Sequence, residues 1–161
     1  MQRYCSVIGL LCAALAAAAQ ERVEVVVHRG ANEHAPENTF AAARKCIEIG
    51  VDYVEIDVRR SKDGVHYILH DRTLDRTTNG SGPIREMNSE EIDQLDAGSW
   101  FDPKFKDERV PRLEDYLEWA QGKFKIYFDV KDADLETLIA MTKQYGFQDG
   151  CFFWFGDRGT A

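Results

Sequence analysis

Two apolar segments, 53–58 and 125–131, carry charged residues at alternate positions, and this pattern constrains the fold of the 161-residue chain most strongly. Side chains alternate between the two faces of a β-strand, so each segment is predicted to have one apolar face and one charged face. Helices can cover the apolar face, but the charged face requires surroundings that tolerate charge. The charged residues are Glu55 and Asp57 in the first segment, and Lys125, Asp129 and Lys131 in the second.

Strand patterns alternate with helix patterns along the chain, which favours a parallel sheet, either open and doubly wound or closed into a barrel. An open sheet covered on both faces should have nearly continuous apolar strands, whereas barrels carry polar residues inside their carboxyl-terminal rim. We therefore predict an α/β fold whose sheet closes into a (β/α) barrel. The predicted strands are 23–28, 53–58, 65–70, 125–130 and 151–155, and the main helices are 38–49, 113–121 and 133–145.

Turn and capping residues mark the limits of these elements. Asn38 is predicted to cap the first helix and Gly50 to end it. The segment 71–112 is long, polar and rich in turn residues, with one short helix predicted to begin at Ser89. An excursion of this length in a compact domain usually serves as a lid or a binding loop, and we predict that role here.

The amino-terminal segment 1–19 has the pattern of a secretory signal peptide. One positive charge at Arg3 is followed by an apolar run, and Ala17 and Ala19 are the small residues of a cleavage site. Cleavage near Ala19 would leave residues 20–161 as the mature domain, secreted or periplasmic, without stable membrane insertion. A membrane-spanning segment and a lipoprotein signal at Cys12 are the weaker alternatives, because the run is short and its residues fit a lipobox poorly.

Charge and cysteine content exclude other classes of protein. The formal net charge of -8 argues against a nucleic-acid partner, because binding phosphates needs a basic face. Four cysteines are too few for a disulfide scaffold, and two of them lie in the predicted signal peptide. For the other two, Cys46 and Cys151, buried free thiols are favoured over a bridge.

Six ionisable residues fall at the ends of predicted strands, and one curved sheet would bring them to a common rim. Glu55 and Asp57 share a face and repel each other unless a cation lies between them, and Asp129 could add a third oxygen. Oxygen ligands suit Mg²⁺ or Ca²⁺ rather than zinc. Alternatively, the carboxylates pair with Arg59, Arg60 or Lys131. The six residues are His28, Glu55, Asp57, His70, Asp129 and Lys131.

Short motifs follow one another in a fixed order between Val25 and Lys131. They are His28-Arg29-Gly30, Pro36-Glu37-Asn38-Thr39, Glu55-Ile56-Asp57, His70-Asp71, Leu74-Asp75-Arg76-Thr77-Thr78, Gly98-Ser99-Trp100-Phe101, the segment 111–117 and Asp129-Val130-Lys131. No single motif is specific, but their order and spacing resemble the glycerophosphodiester phosphodiesterases, whose fold is a (β/α)8 barrel.

This resemblance implies a function and a set of site residues. The implied reaction is metal-dependent hydrolysis of a small-molecule glycerophosphodiester to sn-glycerol 3-phosphate and an alcohol. Hydrolysis of a phosphodiester anion requires positive charge beside its non-bridging oxygens and proton transfer at the attacking and leaving oxygens. The residues named next can supply both. By resemblance, the acid/base residues are His28 and His70, the phosphate contacts are Arg29 and Lys131, and the metal ligands are Glu55, Asp57 and Asp129.

Two features depart from the family pattern. The family usually has Glu at the position of Asp129, whereas the related sphingomyelinase D-like branch has Asp there. A phospholipase acting on lipid phosphodiesters is therefore the alternative function. Removing 19 of the 161 residues leaves 142, whereas such barrels have about 250. We therefore expect a truncated barrel, a partial (β/α)8 TIM barrel containing about the first five β-strands with their helices. A non-catalytic half-barrel that binds phosphodiesters is the corresponding non-enzyme alternative.

Overall fold

A computed structural model describes residues 22–156. The predicted signal peptide, residues 1–19, lies outside the described residues. The strands are β1 (Val26–Val27), β2 (Tyr53–Arg60), β3 (His66–Ile68), β4 (Lys125–Val130) and β5 (Cys151–Trp154). The α-helices are α1 (Phe40–Ile49), α2 (Ser89–Ile92), α3 (Leu113–Ala120) and α4 (Leu135–Gln144), and single 3-10 turns form at Ile84–Glu86 and Pro103–Phe105.

The five strands form one sheet, in which β1, β2, β4 and β5 are parallel and lie in that order. This arrangement confirms the predicted α/β fold with a parallel sheet. The third strand differs from the others, because β3 runs antiparallel to β2. Strands β1 and β3 lie on the same edge of β2. The first residues of β2 pair with β1, and its last residues pair with β3. The parallel wall therefore contains four of the five strands.

The apolar face of the sheet packs against α1, α3 and α4 to form the main core. Alternation along β4 is clear, since its even-numbered residues are buried and its odd-numbered residues are partly exposed. The apolar face predicted from the sequence is therefore confirmed for both central strands. The core residues on these strands are Val54, Ile56, Val58, Ile126, Phe128 and Val130, and those on the helices include Cys46, Leu113, Leu117 and Leu138.

The first strand and the first helix both begin later than predicted. The strand predicted for 23–28 forms only at Val26–Val27, and Val23 is 85% exposed. The predicted cap at Asn38 is wrong, since α1 begins at Phe40 and Thr39 caps it by accepting a hydrogen bond from the Ala42 amide. Asn38 instead has a φ of 59°, a left-handed backbone conformation that continues the preceding turn. Gly50 ends α1 as predicted.

The excursion 71–112 has a small apolar core of its own against β3. The buried residues of this core include Tyr67, Leu74, Ile84, Ile92 and Val110. The short helix predicted to begin at Ser89 forms as α2, with Asn88 and Glu91 making a capping box. A folded excursion can hold residues at the edge of a site, and its proposed role as a lid stays a prediction.

Two sequence interpretations concern cysteines and membranes. Cys46 and Cys151 are both free thiols, as predicted. Among residues 22–156, no helix has the length and apolarity that crossing a bilayer requires.

Candidate active site at the carboxyl end of the sheet

Three carboxylates meet where β2 and β4 lie side by side. The parallel register places Asp57 directly opposite Asp129, and Glu55 is two residues earlier on the same face of β2. One oxygen from each carboxylate lies within 4.8 Å of the others. Glu55 and Asp57 are 4% and 0% exposed, respectively, whereas Asp129 is half-buried. The strand pairing thus creates the acidic cluster that the alternating pattern predicted.

Burial and mutual repulsion act together on this cluster. Burial raises the pKa of Glu55 to about 7, and the negative charge of Asp57 adds to the effect. The Arg29 amide donates a hydrogen bond of 2.6 Å to Glu55 Oε2, which stabilises the charged form and opposes this shift. Near neutral pH, the Glu55 side chain is therefore close to its titration midpoint when no cation is bound.

The raised pKa of Glu55 predicts a pH-dependent stability. A carboxyl that binds its proton more tightly in the folded state favours folding below its ordinary pKa, and this contribution is lost as the pH rises to about 7. Between about pH 4.5 and 7, we expect the free energy of unfolding to fall by an amount on the order of 3 kcal/mol. Denaturant titrations in chelator at pH 5 and 7.5 measure it.

The matched control for this experiment is Glu55→Gln, which removes the titrating group. The wild type should lose more stability than Glu55→Gln over this pH range. Equal losses in the two proteins would show that Glu55 has an ordinary pKa.

Two cations lie against the acidic cluster. Arg29 Nε is 3.4 Å from Asp57 Oδ2, and Lys131 Nζ is 2.6 Å from Asp129 Oδ2 and 3.3 Å from Asp57 Oδ1. Burial acts to lower the pKa of Lys131, but the hydrogen bond to Asp129 and the charge of Asp57 raise it overall. The sequence left open that the carboxylates pair with basic side chains instead of a metal ion. Lys131 forms such pairs, whereas Arg59 and Arg60 form no ion pair with a described carboxylate.

The cluster retains acceptor capacity beyond these cations. Oδ1 of Asp129 is buried and accepts no hydrogen bond from a described residue, and buried Oδ1 of Asp57 has only the 3.3 Å ion pair with Lys131. Three carboxylates against two cations leave about one negative charge in excess when all are ionised. An all-oxygen set with excess negative charge fits a hard divalent cation such as Mg²⁺ or Ca²⁺. Glu55, Asp57 and Asp129 could therefore hold such an ion.

Both predicted catalytic histidines lie beside this cluster, but they follow different strands, one parallel and one antiparallel to β2. His28 directly follows β1 and is exposed, within electrostatic range of Asp57 and His70. Partial burial and the neighbouring charge of Arg29 lower the pKa of His28. His70 follows β3, and the antiparallel course of β3 returns the chain from the far end of β2 to the level of Asp57.

Each histidine is held by a local feature of the backbone or of a side chain. His70 Nδ1 lies 2.6 Å from Asp71 Oδ1, a contact that orients the imidazole ring. The turn after His28 needs left-handed backbone at Arg29 and Gly30, whose φ angles are 55° and 74°. A Cβ at Gly30 would lie 2.8 Å from that of Ala42, so glycine also allows α1 to approach the turn.

The sequence and the fold of this chain are both similar to those of known proteins. The model of the glycerophosphoryl diester phosphodiesterase family matches residues 28–155. The chain belongs to this family. A glycerophosphodiester phosphodiesterase of Caldanaerobacter subterraneus is 40% identical over 132 residues, covering 78% of this chain and 54% of that protein.

Solved structures of family members agree with the fold. The glycerophosphodiester phosphodiesterase of Agrobacterium tumefaciens is 50% identical with a TM-score of 0.81, covering 83% of this chain and 58% of that one. A phosphodiesterase of Oleispira antarctica, solved with the product sn-glycerol-3-phosphate, is 34% identical with a TM-score of 0.76, covering 81% and 56%. The chain spans about half the length of the curated relatives it matches. It therefore corresponds to part of a family barrel.

Asn38 is a site residue whose contacts the sequence interpretation missed. Its Nδ2 donates a hydrogen bond of 2.8 Å to Asp57 Oδ2, and its Oδ1 accepts one of 3.4 Å from the Asp57 amide. Because these bonds fix the carboxylate, Asn38 positions Asp57 within the cluster. The family motif at 36–39 was a signal for such a role, but an asparagine before a helix is equally typical of a cap.

A second missed feature connects the histidine and arginine sides of the site. Arg76 donates to Asp71 Oδ2 at 2.6 Å and to both oxygens of Glu37 at 2.8 and 2.9 Å. Glu37 also accepts from Arg29 at 3.2 Å. Burial acts to raise the pKa of Glu37, but Arg76 and Arg29 lower it overall. A continuous network therefore runs from His70 through Asp71, Arg76 and Glu37 to Arg29.

Proposed function

We propose that the protein containing this chain is a glycerophosphodiester phosphodiesterase that forms sn-glycerol 3-phosphate and an alcohol. The observation that carries this proposal is the convergence of three carboxylates, two cations and two histidines at the carboxyl end of the sheet. The product complex of the Oleispira antarctica relative supports the choice of product. The substrate is a small molecule, and no nucleic-acid partner is proposed for a chain of net charge -8.

Arg29 and Lys131 are proposed to bind the non-bridging oxygens of the phosphodiester. In the structure these two side chains lie against Asp57 and Asp129. The two positive charges therefore lie next to the acidic cluster. There, an oxygen of the phosphate could replace a carboxylate as the partner of each cation. The guanidinium group of Arg29 suits this role, because its planar donors match two oxygens of one phosphate.

His28 and His70 are proposed to carry the two proton transfers. One histidine takes a proton from the nucleophile as its oxygen bonds to phosphorus. The other gives a proton to the departing alcohol as its bond to phosphorus breaks. Water as the nucleophile gives sn-glycerol 3-phosphate directly, whereas a neighbouring glycerol hydroxyl gives a cyclic phosphate ester that water then opens. When His70 Nδ1 donates to Asp71, Nε2 is the ring atom left for transfer. The lowered pKa of His28 favours its neutral form near pH 7, as a general base requires.

A divalent cation completes the proposed site, with Glu55, Asp57 and Asp129 as its ligands. The buried oxygens of Asp57 and Asp129 that accept no hydrogen bond support this assignment. When bound, such an ion would supply positive charge that stabilises the transition state and polarises the phosphate. Mg²⁺ and Ca²⁺ are the proposed metals, because both prefer oxygen ligands.

The proposed location of the protein is secreted or periplasmic, after cleavage of the signal peptide near Ala19. This proposal rests on the basic residue, apolar run and small residues of segment 1–19. It also implies that the mature protein, beginning near residue 20, has no stable membrane insertion.

The experiment that tests the proposed function uses the complete protein with glycerophosphocholine as substrate. We expect formation of sn-glycerol 3-phosphate and choline, loss of turnover in chelator, and recovery with Mg²⁺ or Ca²⁺. Sphingomyelin is assayed in parallel, because the sphingomyelinase D-like alternative rests on Asp129.

Three outcomes of this experiment would contradict the proposal. Faster hydrolysis of sphingomyelin would favour the lipid alternative. Binding of phosphodiester without turnover would favour a non-catalytic binding module. Full activity in chelator would remove the metal from the mechanism.

A further inference from the structure

A basic cavity adjoins the proposed site beyond the carboxyl ends of β2 and β4. Its volume is about 320 Å³, and its lining includes Arg59, Arg72, Arg85, Lys131 and Asp132. Four cations against one carboxylate is an unusual local balance in a chain of net charge -8. The cavity therefore attracts anions although the molecule as a whole repels them.

The strand geometry places this cavity next to the acidic cluster. Arg59 lies on the same face of β2 as Glu55 and Asp57, two residues beyond Asp57 and so roughly 7 Å further along the strand. Lys131 belongs to both regions, because it lines the cavity and its Nζ contacts Asp57 and Asp129. A substrate with its phosphate on Lys131 could therefore extend a further group into the cavity.

Two of the cavity's cations are not neutralised by a carboxylate. Arg85 pairs with Asp132, and Lys131 pairs with the acidic cluster. Arg59 uses Nε to donate a hydrogen bond of 2.8 Å to the carbonyl of His70, which holds its guanidinium in place. Within residues 22–156, neither Arg59 nor Arg72 forms an ion pair, and the exposed Arg72 side chain also makes no hydrogen bond.

We propose that this cavity is a subsite for a second anionic group, a phosphate or a carboxylate, on the alcohol part of the substrate. The inference rests on the proposed function and deepens it by naming the substrate class. Guanidinium groups bind such anions through paired charge-assisted hydrogen bonds. The same two uncompensated charges repel a quaternary ammonium group, so choline is disfavoured as the alcohol.

The test compares three substrates of the complete, metal-loaded protein. They are glycerophosphocholine, glycerophosphoglycerol and glycerophosphoglycerol phosphorylated on its terminal hydroxyl, whose alcohols are cationic, neutral and anionic. We expect kcat/KM to increase in that order. In Arg72→Gln, the ratio of kcat/KM between the anionic and cationic substrates should fall at least tenfold, mainly through KM of the anionic one.

The control is Lys106→Gln, which removes one positive charge from an exposed residue outside the cavity. It should leave the ratio unchanged. Equal kcat/KM for the three wild-type substrates, or an Arg72→Gln effect equal on all three, would overturn the subsite while leaving the proposed function intact. Complete inactivity with every substrate would contradict the proposed function and the subsite together.

The cavity could bind either an anionic group of the substrate or a free anion. Assays with added inorganic phosphate distinguish the two. If the subsite serves the substrate, added phosphate should inhibit the wild type and Arg72→Gln equally with glycerophosphocholine. A change in glycerophosphocholine turnover that disappears in Arg72→Gln, without preference among the alcohols, would instead identify a free anion and overturn the substrate assignment.

Discussion

Asp57→Asn should lower the turnover of glycerophosphodiesters by about a thousandfold or more. Asp57 is the most buried member of the acidic cluster and contacts Asn38, Arg29 and Lys131. Replacing one oxygen by an amide nitrogen weakens a proposed metal ligand and removes a charged partner of both cations proposed to bind phosphate. Since a bound metal supplies several kcal/mol of stabilisation to the transition state, its loss has an effect of this size. Steady-state assays with saturating Mg²⁺ or Ca²⁺ measure it.

The control for Asp57→Asn is Asp149→Asn, the same chemical change at an exposed residue before β5. It should retain normal turnover. In chelator, Asp57→Asn should unfold at a temperature close to that of the wild type, because the lost ion pairs are offset by reduced repulsion from Glu55 and Asp129. A soluble, folded Asp57→Asn enzyme with near-normal turnover would contradict the assignment of Asp57 as a ligand.

Alanine at His28 or at His70 should each lower kcat by about a hundredfold to ten-thousandfold. Each variant removes one of the two proposed proton transfers while leaving the carboxylates and cations in place. Both side chains are at least partly exposed, so truncation should leave the fold intact. The measurement is kcat from initial rates, with circular dichroism to verify folding.

His34→Ala is the matched control for the histidine variants. His34 is an exposed histidine in the same loop as His28, and we expect its removal to change kcat little. If either His28→Ala or His70→Ala retained near-normal kcat, that histidine would have a structural role instead. A loss of kcat in His34→Ala as large as in His28→Ala would mean that the loop as a whole is sensitive to substitution.

The central strands and their two faces could be predicted from the sequence because their pattern is local. Glu55 and Asp57 occupy alternate positions among aliphatic residues, so their common face follows from backbone geometry alone. The proximity of Asp57 and Asp129 could also be predicted from the sequence, because parallel strands place their carboxyl ends at one edge of the sheet. Element limits were less accurate, as at β1, where only Val26 and Val27 pair with β2.

The residues that hold the site in place could not be predicted with equal detail. Asn38 was interpreted as a cap, because asparagine before a helix is favoured there for reasons that involve only its neighbours. Its bond to Asp57 depends on a left-handed turn and on how closely α1 packs on the sheet. The same holds for Arg76, which bonds Asp71 and also Glu37, a residue 39 positions earlier in the chain.

The sequence by itself determined the parallel α/β sheet, the acidic face of its central strands and the family to which the chain belongs. The sheet and its acidic face depend on residue spacing, which backbone periodicity converts directly into position, whereas the family was indicated by a resemblance of motifs in a fixed order. Only the tertiary structure decided that β3 runs antiparallel and returns His70 to Asp57, and that Arg59 and Arg72 line one cavity beside Lys131. These contacts depend on strand register and loop paths, which are set by the packing of the whole domain and not by any local pattern.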